Sequence, residues 1–257
     1  MATVMLVTVV GSYLALCGLV YAKQRLLVFP GPKVRGDIAG KSVFVDVPGG
    51  TYLLWRDAGG AGPVVVHFHG NGEQVAHLSW LAEAYAARGV SFAAVEYPGY
   101  AGAAGEAGEA SLVEAGRNAL ELLTGKLGVA RERLVLSGQS VGTGLAVTLA
   151  EQGWGTRLLL LTPYTSLPDV AAKMLPWLPV RLLMKDRFDS ASRAPGIKVP
   201  VLIIHGTADE VINYEFGRTL STRFPTVKLL TVEGGHHNDL WDAPPTLPAV
   251  LQFVTGS

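Results

Sequence analysis

The chain has 257 residues, 49% of them hydrophobic and 16% charged, with a formal net charge of zero. That length suits one sizeable α/β domain, and the hydrophobic share is high for a soluble chain but too low for a many-helix transporter. Balanced charge without like-charge runs argues against a nucleic-acid partner. The single cysteine, Cys17, excludes an internal disulfide framework and a cysteine-rich zinc centre.

Residues 2–22 carry no charged side chain. At a rise of about 1.5 Å per residue, roughly 20 apolar residues cross the hydrocarbon core of a bilayer. Lys23 and Arg25 follow at once, then Lys33 and Arg35, and no charge precedes the segment. The positive-inside bias sets the rest of the chain on the cytoplasmic face. The expectation is a single-pass membrane anchor over residues 1–22 and a catalytic domain over 23–257. A cleaved signal peptide ending near Ala22 is one rival, though it lacks a basic leading region and its apolar run is long, and a buried core helix is another. A lipid-modified Cys17 is set aside, because Leu16 stands where a small residue is needed. Cys17 then reads as a small apolar residue facing lipid.

Beyond the anchor, short β-rich runs alternate with helical stretches. Strands are predicted at Ser42–Val47 and Tyr52–Trp55, split by the turn Pro48-Gly49-Gly50, and at Val64–Phe68 and Val90–Val95. Further strands are predicted at Arg133–Leu136, Leu158–Leu161, Val201–Ile204 and Val227–Val232. Helical spacing covers Gln74–Arg88, Leu112–Leu127, Thr143–Glu151 and Asn213–Phe224. This alternation predicts a mostly parallel central sheet with helices on both faces. Residues 164–199 interrupt the rhythm with four prolines, and Pro200 follows at once. They read either as a small cap inserted after a strand or as a crossover with a broken helix.

Four loops at strand ends carry candidate chemistry. Gly138-Gln139-Ser140-Val141-Gly142 matches G-x-S-x-G between a strand and a helix, the setting that lifts a serine hydroxyl above a sheet edge. The competing use of such a pentapeptide is a glycine-rich packing turn. His67-Phe68-His69-Gly70-Asn71-Gly72 can aim backbone N–H groups at a developing oxyanion. The candidate donors are the N–H groups of Asn71 and of Val141, the residue after the serine. His67 and His69 share a strand face, as metal ligands can. No carboxylate or cysteine cluster adjoins them, and His69 reads better as a brace for the loop. Asp209, at the end of the strand in VLIIHGTAD, can orient a histidine; capping the next helix is its alternative role, and Glu210 is its neighbouring competitor. His236 and His237 follow the last strand, and either could act as general base. The order Ser, Asp, His matches one class of nucleophilic hydrolase.

Taken together, RLLVFP at Arg25–Pro30, HFHGNGE at His67–Glu73, EYPGYAG at Glu96–Gly102, GQSVG, TPYTSL at Thr162–Leu167, PVLIIHGTADEVI at Pro200–Ile212 and GGHHNDLW at Gly234–Trp241 resemble the α/β-hydrolase superfamily. They are most similar to its N-terminally anchored serine hydrolases, which include depalmitoylase-like members and bacterial relatives. The resemblance covers the chain from about residue 23 onward. It implies the α/β-hydrolase fold, a triad of Ser140, Asp209 and His237 rather than His236, and tethering to a membrane. It also implies hydrolysis of acyl esters or thioesters and does not fix the substrate, which is expected to be a small-molecule or lipid-like acyl compound; acyl transfer through such a triad needs no metal or organic cofactor. In the family a proline usually stands where this chain has Asn213, a change expected to touch only a helix start. Amidase or peptidase chemistry on the same fold, and a membrane-tethered binding module without turnover, are the alternatives.

Overall fold

The computed structural model describes residues 1–256. Its elements run α1 (Ala2–Val28), β1 (Val43–Val47), β2 (Thr51–Arg56), β3 (Val64–Phe68), α2 (Ser79–Ala86), β4 (Ser91–Val95), α3 (Glu109–Glu121) and β5 (Leu134–Gln139). They continue with α4 (Val141–Glu151), β6 (Arg157–Leu161), α5 (Leu167–Met174), α6 (Val180–Leu183), α7 (Ser190–Arg193), β7 (Val201–Gly206), α8 (Tyr214–Ser221), β8 (Val227–Val232) and α9 (Thr246–Thr255). All eight predicted strands join one sheet in the order β1-β2-β4-β3-β5-β6-β7-β8. The β1–β2 and β2–β4 pairings are antiparallel and the other five parallel.

The apolar runs without alternation are explained by burial on both faces. Val64, Val66, Phe68, Leu134, Leu136, Leu158 and Leu160 join one core, roofed by α3, α4 and α8. Val65, Val135, Leu159, Leu161, Leu202 and Ile204 join the other, beneath α2 and α9. Each fully buried Val or Leu contributes about 1.5–3 kcal/mol, so these central strands anchor the domain.

Helix boundaries depart from the periodicity for local reasons. The stretch from Gln74 opens as a 3₁₀ turn over Val75–Leu78 before α2 begins. Gln74 is extended and its side chain accepts the Gly36 N–H at 2.6 Å, while the Val75 N–H is taken by Glu96. After Glu121 the predicted helix continues as a π-turn over Leu122–Lys126. Asn213 caps α8, its side chain accepting the Glu215 N–H at 3.1 Å, so the helix start absorbs the absence of proline there.

The apolar N-terminal helix is longer than the expected anchor, running six residues past Ala22 to Val28. It is long and apolar enough to cross a membrane, and the hydrophobic stretch is almost wholly exposed. From Tyr13 onward it is fixed to the segment that contains α5 and α6. Tyr13 donates to the Trp177 carbonyl, Gln24 exchanges hydrogen bonds with Leu183 and Lys185, and Arg25 forks onto the buried Asp186 at 2.9 and 3.2 Å. Cys17 does not face outward as its composition-based reading had it. It is buried against Leu178 and Val180, because the Pro176–Pro179 turn folds back on α1. Within residues 164–199, α5 and α6 pair beside α1, whereas α7 lies on α4 as a crossover helix does.

The β5–α4 turn leaves no room for side chains. A Cβ on Gly142 would collide with the Phe68 carbonyl oxygen, a backbone atom that cannot swing away. Gly142→Ala is therefore expected to lower unfolding stability by about 1–3 kcal/mol or more, read as a fall in the denaturant midpoint. A wild-type midpoint would contradict this close approach.

Candidate active site

Ser140 links β5 to α4 with φ +51° and ψ −122°. Such a conformation is strained for a residue with a Cβ and persists only where the surroundings enforce it. Here its N–H bonds the Leu161 carbonyl at 3.0 Å, and its carbonyl accepts from the N–H and hydroxyl of Thr143. A Cβ on Gly138 would stand 2.5 Å from the Gly142 oxygen, so only glycine lets strand and helix meet this closely. The hydroxyl thus sits at the N-terminus of α4, where the first N–H groups lack intrahelical partners and carry partial positive charge.

The structure brings His237 and Asp209 to this serine. His237 Nε2 lies 3.0 Å from Ser140 Oγ, and its Nδ1 lies 2.8 Å from Asp209 Oδ2. Asp209 Oδ1 accepts the N–H groups of Val211 and Ile212 at 2.9 and 2.7 Å. Burial pushes the Asp209 carboxyl up, but hydrogen bonds from His205, His237 and the Ile212 N–H outweigh it and hold the group well below the usual carboxylate range. The sequence reading did not single out His205. Its Nε2 lies 2.8 Å from the Ile212 carbonyl and 3.3 Å from Asp209 Oδ2. A carbonyl only accepts, so Nε2 carries a proton shared between the two oxygens. The ring packs against Gly217 of α8, where a Cβ would strike Nδ1.

The neighbouring pair turns away. His236 is exposed and its Nδ1 lies 3.1 Å from Glu210, while His237 and Asp209 are buried. Consecutive residues on two adjoining loops thus form an inner pair and an outer pair, and only the inner one reaches the serine.

Gly70 and Asn71 border the same cavity as Ser140, Val141 and His237. The Gly70 N–H is already given to Glu73 at 2.7 Å. The N–H groups of Asn71 and Val141 have no protein acceptor among the described residues. Beneath this loop lies a buried charge pair. His69 Nδ1 donates to the Gly70 carbonyl at 2.9 Å and Nε2 meets Glu96 at 3.1 Å, so both nitrogens carry protons. Burial disfavours the imidazolium, but Glu96 outweighs it and raises the His69 pKa. Burial likewise pushes Glu96 up, and His69 with the Val75 and Tyr97 N–H groups brings it below its ordinary value. Tyr97 stacks on His69 and donates to its carbonyl at 2.7 Å, and Tyr100 donates to the Asn71 side chain at 3.0 Å. His67 contacts Ser137 instead; burial, then the neighbouring His69, lowers its pKa to about 3, leaving the ring neutral.

The serine opens into a cavity of about 410 Å³ with mostly apolar walls. Leu27 and Val28 of α1, Val170 and Met174 of α5, Met184 and Ile212 supply them.

Breaking a buried ion pair by removing one partner leaves an uncompensated charge. Glu96→Gln is expected to cost about 3 kcal/mol of unfolding stability. The raised His69 contributes below its unfolded value near 6.5 and loses that contribution as pH rises through its folded value. The lowered Glu96 contributes above its unfolded value near 4.5 and loses it as pH falls through its folded value. The difference between wild type and variant should therefore be greatest between about pH 4.5 and 6.5 and shrink on both sides. Denaturant titrations across that range check it; a pH-independent difference would contradict the charged pair.

No protein-family model matches the chain. It is 32% identical over 249 residues to the uncharacterised protein Rv2307c of Mycobacterium tuberculosis, covering 92% of this chain and 89% of the relative. It is 30% identical over 213 residues to alpha/beta hydrolase domain-containing protein 17C of Xenopus tropicalis, covering 79% of this chain and 65% of that one. The fold superposes on Pyrococcus furiosus esterase Pf2001 with a TM-score of 0.68 over 87% of this chain and 97% of the esterase, at 16% identity. With the strand order, these similarities establish that the chain belongs to the α/β-hydrolase superfamily.

Proposed function

We propose that the protein is a membrane-anchored serine hydrolase that cleaves carboxylic esters or thioesters of amphiphilic acyl substrates through an acyl-enzyme. The observation that carries the reading is the single imidazole of His237 placed 3.0 Å from Ser140 Oγ and 2.8 Å from Asp209. Ser140 Oγ attacks the acyl carbon while His237 Nε2 takes its proton. Asp209 keeps the proton on Nδ1 and stabilises the imidazolium that forms. The oxyanion is received by the N–H groups of Asn71 and Val141, two donors free of competing acceptors. His237 then returns the proton to the departing alcohol or thiol. In the second half it takes a proton from water, which attacks the acyl-enzyme and frees the acid and Ser140. The step uses only side chains, backbone N–H groups and water, and calls for no metal or organic cofactor.

The apolar cavity supports a fatty acyl chain as the bound group, and its α1 wall supports presentation of the substrate at a bilayer. In this reading α1 is the anchor and the domain from Lys23 onward lies on the cytoplasmic face, except for the Pro176–Val180 turn, which packs on Tyr13 and Cys17 and enters the bilayer beside α1. The α5–α6 part of residues 164–199 then serves as a cap over the acyl chain.

Hydrolysis of a chain-length series of p-nitrophenyl esters and acyl thioesters tests this. Ser140→Ala, His237→Ala and Asp209→Asn are each expected to lower kcat by roughly 10⁴-fold, with His236→Ala within about twofold of wild type. Long-chain substrates should exceed acetyl esters in kcat/KM. Equal turnover of acetyl and long-chain esters would defeat the amphiphilic assignment. Cleavage of acyl amides but not esters would favour amidase chemistry, and a folded wild type without turnover of either would favour a binding module.

A further inference from the structure

The last turns of α1 separate two cavities. Leu27 and Val28 face the acyl pocket, whereas Ala22, Arg25, Leu26 and Phe29, spaced three and four apart on the opposite side, face a second cavity of about 500 Å³. Its charged lining is one-sided: Lys23, Arg25, Lys33 and Lys185 against a single carboxylate, Glu106. Arg25 is committed to Asp186. The three lysines form no ion pair among the described residues. Two are held without being neutralised: Lys33 Nζ donates to the Gly99 carbonyl at 3.2 Å, and Lys185 Nζ lies 4.1 Å from the centre of the Tyr21 ring. Unneutralised ammonium groups around one cavity make a receptor for a compact anion.

The height of the cavity on α1 specifies which anion. The uncharged run ends at Ala22 and Lys23 is the first charge, so the lysines stand where the helix would leave the hydrocarbon and meet the phosphates. Leu26, Phe29 and Tyr100 add apolar wall beside the cations, matching a ligand with a charged head and an apolar continuation. We propose that this cavity binds the phosphate of an anionic phospholipid headgroup, with Lys23, Lys33 and Lys185 as its cationic partners. The assignment rests on α1 lying in a bilayer.

The test uses the full chain. Flotation with neutral phosphatidylcholine liposomes reads the anchor by itself; protein that stays out of those liposomes overturns the premise and the assignment with it. Lipid retention is then read by native mass spectrometry from micelles containing equal phosphatidylglycerol and phosphatidylcholine. The wild type is expected to retain phosphatidylglycerol about tenfold over phosphatidylcholine, and Lys23→Gln/Lys33→Gln/Lys185→Gln to fall to near parity. A control that removes the same charge outside the cavity, Lys126→Gln/Lys198→Gln/Lys228→Gln, should keep the preference, with matched thermal midpoints for all three proteins. An unchanged preference in the cavity variant, or an equal loss in the control, overturns the site. Displacement of the lipid by millimolar inorganic phosphate would assign it to a soluble phosphate instead and overturn the headgroup reading.

Discussion

Ser140 keeps its positive φ because two backbones meet more closely than any side chain allows. Gly138 and Gly142 permit that contact, the Leu161 carbonyl fixes the serine N–H, and α4 starts immediately afterwards. Everything else about the site is arranged around this fixed point. The loops after β3, β7 and β8 leave the same end of a parallel sheet, so groups far apart in sequence converge there without a dedicated scaffold. Residues 140 and 237 are 97 positions apart and meet at hydrogen-bond distance.

The second organising feature is how completely the buried carboxylates are satisfied. Asp209 is met by two backbone N–H groups and two imidazoles, and Glu96 by one imidazole, two backbone N–H groups and the Tyr52 hydroxyl at 3.5 Å. A saturated carboxylate has little reason to rotate, and its charge stays where the neighbouring imidazole needs it. Glu96 thereby supports the Gly70–Asn71 loop through His69, much as Asp209 orients His237. Tyr100 lines the second cavity and donates a hydrogen bond to Asn71, which borders the first, so it is a physical link between them.

The central strands were legible in the sequence because burial on both faces leaves short, unbroken apolar runs that helices of ordinary length do not show. The G-x-S-x-G turn was legible because its glycines answer a local steric demand. The choice between His236 and His237 was not, since it depends on how two adjoining loops face each other; the family resemblance supplied it. Glu96 and His205 carry no local signal in the sequence for a similar reason. Glu96 matters because β4 lies beside β3, and His205 because α8 presents Gly217 to its ring, and neither adjacency is written in local spacing. The burial of Cys17 and the continuation of α1 to Val28 depend likewise on contacts with a segment more than 150 residues away.

The central claim is that Ser140 is an activated nucleophile. Reaction of the folded full chain with a fluorophosphonate, followed by digestion and mass mapping of the adduct, tests it most directly. The account predicts one adduct, on Ser140, abolished in Ser140→Ala and much slower in His237→Ala. A folded protein that takes no label, or takes it on another residue, would contradict the account.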